Sequence, residues 1–247
     1  MLDKDKYIEF EDLANDNQVL HFYTKIPFNF NKQELSKNYI FKEYEEIQKI
    51  FNHKFDNIIV SNQNHTTNVI KITKENINNN FDNVDGLITN LKNVALVTYS
   101  ADCQSILIYD KKRKIIGNIH SGWKGTLNRI IENAINIMVN DYNSNREDIS
   151  VFICPSILKC CFEVDSDVKD EFIDRFNDID INNYIKQKNN KYLIDTVGIN
   201  TDILINLGIK KENIHKSNIC TKCSKEFHSY RRNKEINGRN IALIALI

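Results

Sequence analysis

The stretch from Val94 to Asn140 most constrains what this chain can fold into. Three short runs rich in β-branched residues lie close together there: Val94–Tyr99, Ser105–Asp110 and Lys114–Ile119. Such runs predict strands. The spacers between them hold only a few residues, with Ala101-Asp102 in one and Lys111-Lys112-Arg113 in the other. That spacing predicts neighbouring antiparallel strands, a meander. Leu127, Ile130, Ile131, Ala134, Ile135 and Met138 then fall on one helical stripe and predict a single helix over Thr126–Asn140. Further strands are expected at Asn57–Ser61, Asn68–Thr73, Ile149–Cys154, Lys191–Asp195 and Asn240–Ile247. Helices are expected at Phe41–Phe51, Asp165–Phe176 and Val197–Leu207. The polar segment Asn177–Asn190 reads as a surface loop. No repeat, linker or regular βαβ alternation appears. The expected class is α+β, a single domain over residues 1–247 with mixed β-sheets flanked by helices.

Composition narrows the function. Lys+Arg and Asp+Glu are both 33, so the formal charge is zero. That balance argues against nucleic acid as a partner, since such modules carry a basic excess. The start of the chain has no apolar core of signal-peptide length, and Ile241–Ile247 is far too short to span a membrane. The expectation is a cytoplasmic protein without a membrane partner, a monomer or weak homodimer. In that compartment the six cysteines are metal ligands, catalytic groups or buried thiols rather than disulfides.

Three segments place metal-capable side chains at strand or turn edges: Asn62-Gln63-Asn64-His65, Ser100-Ala101-Asp102-Cys103 and His120-Ser121-Gly122-Trp123-Lys124-Gly125-Thr126. Two imidazoles and a thiolate, His65, Cys103 and His120, suit a tetrahedral Zn²⁺ with one open position. Their spacings, 38 and 17 residues, match no local zinc motif. The same residues also fit a small buried thiol and two ordinary turn histidines. After His120 a strand runs into a helix through two glycines, with Thr126 as its expected N-cap. Lys124 and the helix N-terminus there predict either an anion site or a plain glycine-rich turn.

Taken in order, these motifs resemble the laccase-domain family, described first as multicopper polyphenol oxidases and later as purine nucleoside phosphorylases. The resemblance rests on Gln63-Asn64-His65, Asp85-Gly86-Leu87-Ile88-Thr89, Ala101-Asp102-Cys103-Gln104-Ser105-Ile106-Leu107 and His120-Ser121-Gly122-Trp123-Lys124-Gly125-Thr126. It continues through Pro155-Ser156-Ile157, Cys160-Cys161-Phe162-Glu163-Val164, Ser229-Tyr230-Arg231-Arg232 and Gly238-Arg239. It implies Zn²⁺ held by His65, Cys103 and His120. It also implies phosphorolysis of purine nucleosides, adenosine first, with inosine, guanosine and methylthioadenosine as further substrates and adenosine deamination as a side activity. The small-molecule partners are then purine nucleosides and phosphate. Catalytic roles would fall to Cys103, His120 and Asp102. Asp102 would be a general acid–base or a partner to a zinc histidine, and it equally fits a turn-capping carboxylate. Lys124, Arg231 and Arg232 are the expected phosphate holders.

The chain departs from the family pattern at its N-terminus. Phe22-Tyr23-Thr24-Lys25-Ile26 has lysine for the usual arginine and no glycine pair, and Lys124 also replaces arginine. Lysine cannot form the bidentate fork, so weaker phosphate binding is expected. Multicopper oxidation is rejected, because six histidines cannot furnish several copper ions. The remaining alternatives are a metal-free cysteine hydrolase using Cys103 and His120, a peptidoglycan-editing hydrolase and a non-catalytic zinc-stabilised binding protein. Cys220-Thr221-Lys222-Cys223 has no second pair at zinc-ribbon spacing, and Cys160-Cys161 is spaced wrongly. These four read as ordinary thiols.

Overall fold

The runs Val94–Ser100, Gln104–Asp110, Ile115–Ser121 and Asn240–Leu246 are buried at every position. A strand buried throughout must have a core on both faces, and its sequence then reads as an unbroken apolar run. The fold supplies those cores by stacking two sheets and covering each outer face with helices.

The structure is a computed structural model describing residues 1–30, 37–234 and 238–247, without the side chains of 37–43. The chain opens with β1 (Leu2–Asp3), β2 (Tyr7–Glu9), α1 (Glu11–Ala14) and β3 (Val19–Thr24). Next come α2 (Lys37–Phe51), β4 (Asn57–Val60), β5 (Val69–Lys71) and β6 (Gly86–Thr89). The centre holds β7 (Val94–Ser100), β8 (Gln104–Asp110), β9 (Ile115–Ser121), α3 (Trp123–Leu127), α4 (Ile130–Tyr142) and β10 (Ile149–Ile153). The chain closes with β11 (Glu163–Val164), α5 (Ser166–Arg175), β12 (Ile185–Lys188), β13 (Lys191–Ile194), α6 (Thr196–Asn206), β14 (Ile214–Lys216) and β15 (Asn240–Leu246). One six-stranded sheet has the order β1-β2-β3-β15-β7-β4, the other β14-β10-β8-β9-β6-β5, and β11-β13-β12 form a small third sheet. Parallel pairs (β4 with β7, β5 with β6, β10 with β14) interrupt otherwise antiparallel sheets. The expected α+β class with mixed sheets is what the chain forms.

Alternation along the strands assigns the layers. In β7, Val94 and Leu96 face the second sheet, while Ala95, Val97 and Tyr99 face Tyr44 and Ile47 of α2. In β8, Leu107 and Tyr109 face the first sheet, while Ile106 and Ile108 face the α4 stripe. The order is therefore helix, sheet, sheet, helices. A polar network ties the two sheets across the middle. Asn118 donates to the carbonyls of Leu96 (2.9 Å) and Ala242 (2.8 Å), and Thr98 donates to Asn118 Oδ1 at 2.7 Å.

Four expectations are corrected. β7, β8 and β9 are not a meander: β8 and β9 pair antiparallel, but β7 belongs to the other sheet, between β15 and β4. A run apolar on both faces carries no signal about its partner, and β15 arrives from far along the chain. The expected helix Thr126–Asn140 is two helices, α3 and α4, broken at Arg129 with φ 58° and ψ 44°. The left-handed conformation is costly for a non-glycine residue. Here the Arg129 guanidinium is engaged by Asp178 and lies 4.8 Å from the Phe176 ring centre. The residues of the stripe are nevertheless all buried. Thr126 is not an N-cap; Gly122 is, and Thr126 lies inside α3. The segment Asn177–Asn190 is more than a loop, since it contains a short 3₁₀ turn, Ile181–Tyr184, and the strand β12. Within the expected helix Phe41–Phe51, the Phe41 side chain lies outside the described residues. Strands β1–β3, β6, β11 and β14 were not expected; most are short, but β3 has six residues and pairs with β15 inside its sheet.

Candidate active site

Three chain segments meet where β7, β9 and the loop after β4 end. His120 is the penultimate residue of β9, Cys103 sits in the tight turn between β7 and β8, and His65 lies in the loop between β4 and β5. The Cys103 Sγ to His65 Nε2 distance is 3.8 Å, and one ligand atom from each of the three lies within 4.8 Å of the others. Bond lengths of about 2.3 Å to sulfur and 2.0–2.1 Å to nitrogen put tetrahedral S and N donors about 3.6 Å apart. The sequence-expected trio is thus assembled at separations that fit one metal ion.

Asp85, just before β6, organises this cluster. It is fully buried. Its Oδ1 accepts from the His65 backbone N–H at 3.1 Å and lies 2.8 Å from His120 Nδ1. Its Oδ2 accepts from the Thr66 N–H and hydroxyl, each at 2.7 Å. With Nδ1 of His120 facing a carboxylate, Nε2 is left for a ligand, the usual arrangement of a metal-binding histidine. His65 adopts φ 60°, a conformation held by these bonds to its own N–H and that of Thr66. Gly122 closes the floor. A Cβ there would meet His65 Cδ2 at 2.7 Å and Cys103 Sγ at 3.1 Å, so only glycine permits the approach.

Charge is concentrated here. Burial alone would raise the Cys103 thiol, but the His120 charge and hydrogen bonds from both histidines outweigh it and bring it down to about 6. Burial alone would lower His120, but Cys103 and Asp85 lift it to about 9. Hydrogen bonds from His120 and Thr66 overcome burial and hold Asp85 at about 2. A Cys103 thiolate paired with a protonated His120 is therefore favoured at neutral pH, and a metal ion binding there would displace the His120 proton.

The cluster opens into a cavity of about 740 Å³, in the usual size range for small-molecule sites. Its lining includes Phe81, Tyr99 and Tyr230 together with Arg239 and Asp82. Ser61 is among the lining residues, and its hydroxyl oxygen is buried without a partner among the described residues. Gln63, from the first motif, pairs with the Tyr99 backbone through two 2.8 Å bonds and fixes that wall.

Other sequence candidates lie elsewhere. Asp102 has both oxygens occupied, one by the Thr221 hydroxyl (2.7 Å) and one by the Arg231 N–H (2.6 Å). The carboxylate that meets a cluster histidine is Asp85, not Asp102. The Arg231 guanidinium donates to the carbonyls of Cys161 and Glu163, and Arg232 to those of Thr221, Lys222, Ser224 and Phe227. These arginines fasten loops. Lys124 is exposed, with its ammonium 5.5 Å from the Trp123 ring centre. Neither these residues nor Asp102 line the cavity. The five-residue α3 is too short to supply the expected helix-dipole anion site. Lys25 is almost fully buried between Asp3 and Glu226. Sequence reasoning missed the roles of Asp85 and Arg239, although both stand in motifs it singled out.

Residues 24–247 match the family model described as multi-copper polyphenol oxidoreductase laccase. The chain belongs to this laccase-domain family. A purine nucleoside phosphorylase of Borreliella burgdorferi is 35% identical over 243 residues, 98% of this chain and 97% of that protein. One of Clostridium acetobutylicum is 30% identical over 257 aligned residues, again 98% and 97%. The crystal structure of Bacillus licheniformis hypothetical protein YfiH superposes with a TM-score of 0.89 at 24% identity, covering 100% of this chain and 98% of that one. YlmD from Geobacillus stearothermophilus gives 0.88 at 22%, with the same coverage. These two likenesses show the shared fold.

The histidines of this laccase-family chain do not gather for several copper ions. His21 accepts from the Phe10 N–H, His53 meets Asn93, His215 pairs with Asp12 and His228 bonds the Phe28 carbonyl. Only two imidazoles remain at the cluster. Among the described residues no helix is long and apolar enough to cross a membrane.

Proposed function

We propose that the chain is a zinc-dependent purine nucleoside phosphorylase that cleaves adenosine with phosphate to adenine and ribose-1-phosphate. One observation carries the reading: His65, Cys103 and His120, three donors that could hold one metal ion, converge on a cavity roomy enough for a nucleoside that also holds Arg239. The names of the 30–35% identical relatives support it.

A zinc ion held there would supply Lewis-acid polarisation or orientation of a bound oxygen. The chain's own residues do the rest. Arg239 offers a guanidinium to phosphate, the chemistry a planar fork suits. Tyr230, the exposed aromatic of the lining, offers its ring face to a purine. Asp85 keeps both histidines in place. Asp102, held on both oxygens, anchors the turn that presents Cys103 rather than moving a proton.

The test incubates zinc-loaded protein with adenosine, with and without phosphate, and separates products by chromatography. Adenine that appears only with phosphate supports the reading. Inosine as sole product assigns the cavity to deamination instead. Full turnover surviving complete chelation would favour the metal-free cysteine hydrolase, with Cys103 as nucleophile.

A further inference from the structure

The four cysteines that seemed unrelated in sequence meet in space. Cys160 and Cys161 lie in the loop between β10 and β11, and Cys220 and Cys223 lie between β14 and β15. A single parallel bridge, Ser156 to Cys220, brings these loops together, with the Thr221 N–H donating to the Ser156 carbonyl at 3.0 Å. Each pair then sits on a tight turn. The Cys161 N–H bonds the Leu158 carbonyl at 2.9 Å, and the N–H groups of Cys223 and Ser224 bond the Cys220 carbonyl at 3.1 and 2.9 Å.

The sulfurs face one another. Cys160 and Cys161 are 3.7 Å apart, Cys160 and Cys223 3.9 Å, and Cys161 and Cys223 3.3 Å, with all four within 4.8 Å. Tetrahedral zinc with bonds of about 2.3 Å separates its thiolates by about 3.8 Å. A disulfide needs about 2.05 Å, and no pair approaches that. The Leu158 N–H points at Cys220 Sγ from 3.5 Å, and the N–H groups of Lys222 and Cys223 also serve that sulfur. Backbone N–H groups converging on a sulfur stabilise it as a thiolate, the role of partners behind metal ligands. Lys222, between two of the cysteines, and Arg231, bonded to the Cys161 carbonyl, bring positive charge to a site that would carry net −2 with zinc bound.

We propose that Cys160, Cys161, Cys220 and Cys223 form a second metal site, a tetrathiolate that binds one zinc-class divalent cation. This site is separate from the cluster at His65, and the inference does not rest on the phosphorylase reading. Its place in the fold makes it a clamp. Thr221, inside the Cys220–Cys223 turn, holds Asp102 beside Cys103, and Arg231 and Arg232 bind carbonyls on the cysteine-bearing loops. Metal binding displaces the thiol protons and cross-links two loops at the edge of the active site.

The test loads full-length protein with Zn²⁺ under reducing, oxygen-free conditions, removes excess metal and measures bound zinc per chain. About two ions are expected in the wild type, and about one in either Cys103→Ala or Cys223→Ser. Co²⁺-loaded Cys103→Ala provides the check that survives misfolding of Cys223→Ser. Its first cluster has no sulfur left, so an intense thiolate-to-cobalt absorption there must come from the four cysteines. One zinc per chain lost entirely with Cys103→Ala, or no such absorption in that variant, would overturn the proposal. So would a Cys161–Cys223 disulfide persisting in the reduced protein.

Discussion

Asp85 reaches the backbone or side chain of both histidines of the first cluster, so its carboxylate sets ligand orientation without being a ligand. Asp85→Asn keeps the shape but cannot accept equivalently, and zinc affinity should fall by about 10–100-fold, read by chelator competition. Gly122→Ala should weaken zinc as well, because its Cβ needs the space of His65 and Cys103. His21 gives a residue-scale prediction far from the site. Burial pushes this histidine down to about 3, and its Nε2 accepts the Phe10 N–H, so the folded state holds it neutral. The unfolded chain takes up a proton near pH 6.5, and stability is therefore lost as pH falls below that value toward 3. Between pH 7 and pH 5 the loss from this group is about 2 kcal/mol. Urea midpoints measured across that range should decline in the wild type and flatten in His21→Asn.

At the scale of elements, the sequence showed the central buried strands well, the marginal strands poorly and strand partnership poorly. The runs at β7, β8, β9 and β15 were visible because they are apolar on both faces, and the same property hid their pairing. The α4 stripe was legible down to Met138. The break at Arg129 was not, since an arginine gives no warning of a left-handed backbone. His65, Cys103 and His120 were readable as three separate turn-edge residues, with convergence added by the fold. The Cys160–Cys161 and Cys220–Cys223 pairs misled, because spacing rules describe local motifs and this cluster is made by two distant loops. Asn118 shows what pairing costs to lose. It bonds carbonyls on β7 and β15 and accepts from Thr98. Asn118→Ala removes three bonds from this buried network and should destabilise by about 1–3 kcal/mol in urea unfolding, without altering bound zinc.

The whole molecule places chemistry at one end of a stacked pair of sheets. The cavity takes its three metal-capable side chains from strand ends and loops spread from His65 to His120, and its guanidinium, Arg239, from the residue before β15. Arg239→Ala should raise the phosphate KM by about 10–100-fold while leaving metal content unchanged, as expected for losing a charge-assisted contact. Lys124→Ala should change that KM little, given its exposed position outside the cavity. The most direct test follows adenosine and phosphate by phosphorus NMR with zinc-loaded wild type and Cys103→Ala. The account predicts a growing ribose-1-phosphate signal in the wild type and none above background in the variant. Equal rates in both proteins, or adenine released with no ribose-1-phosphate, would contradict it.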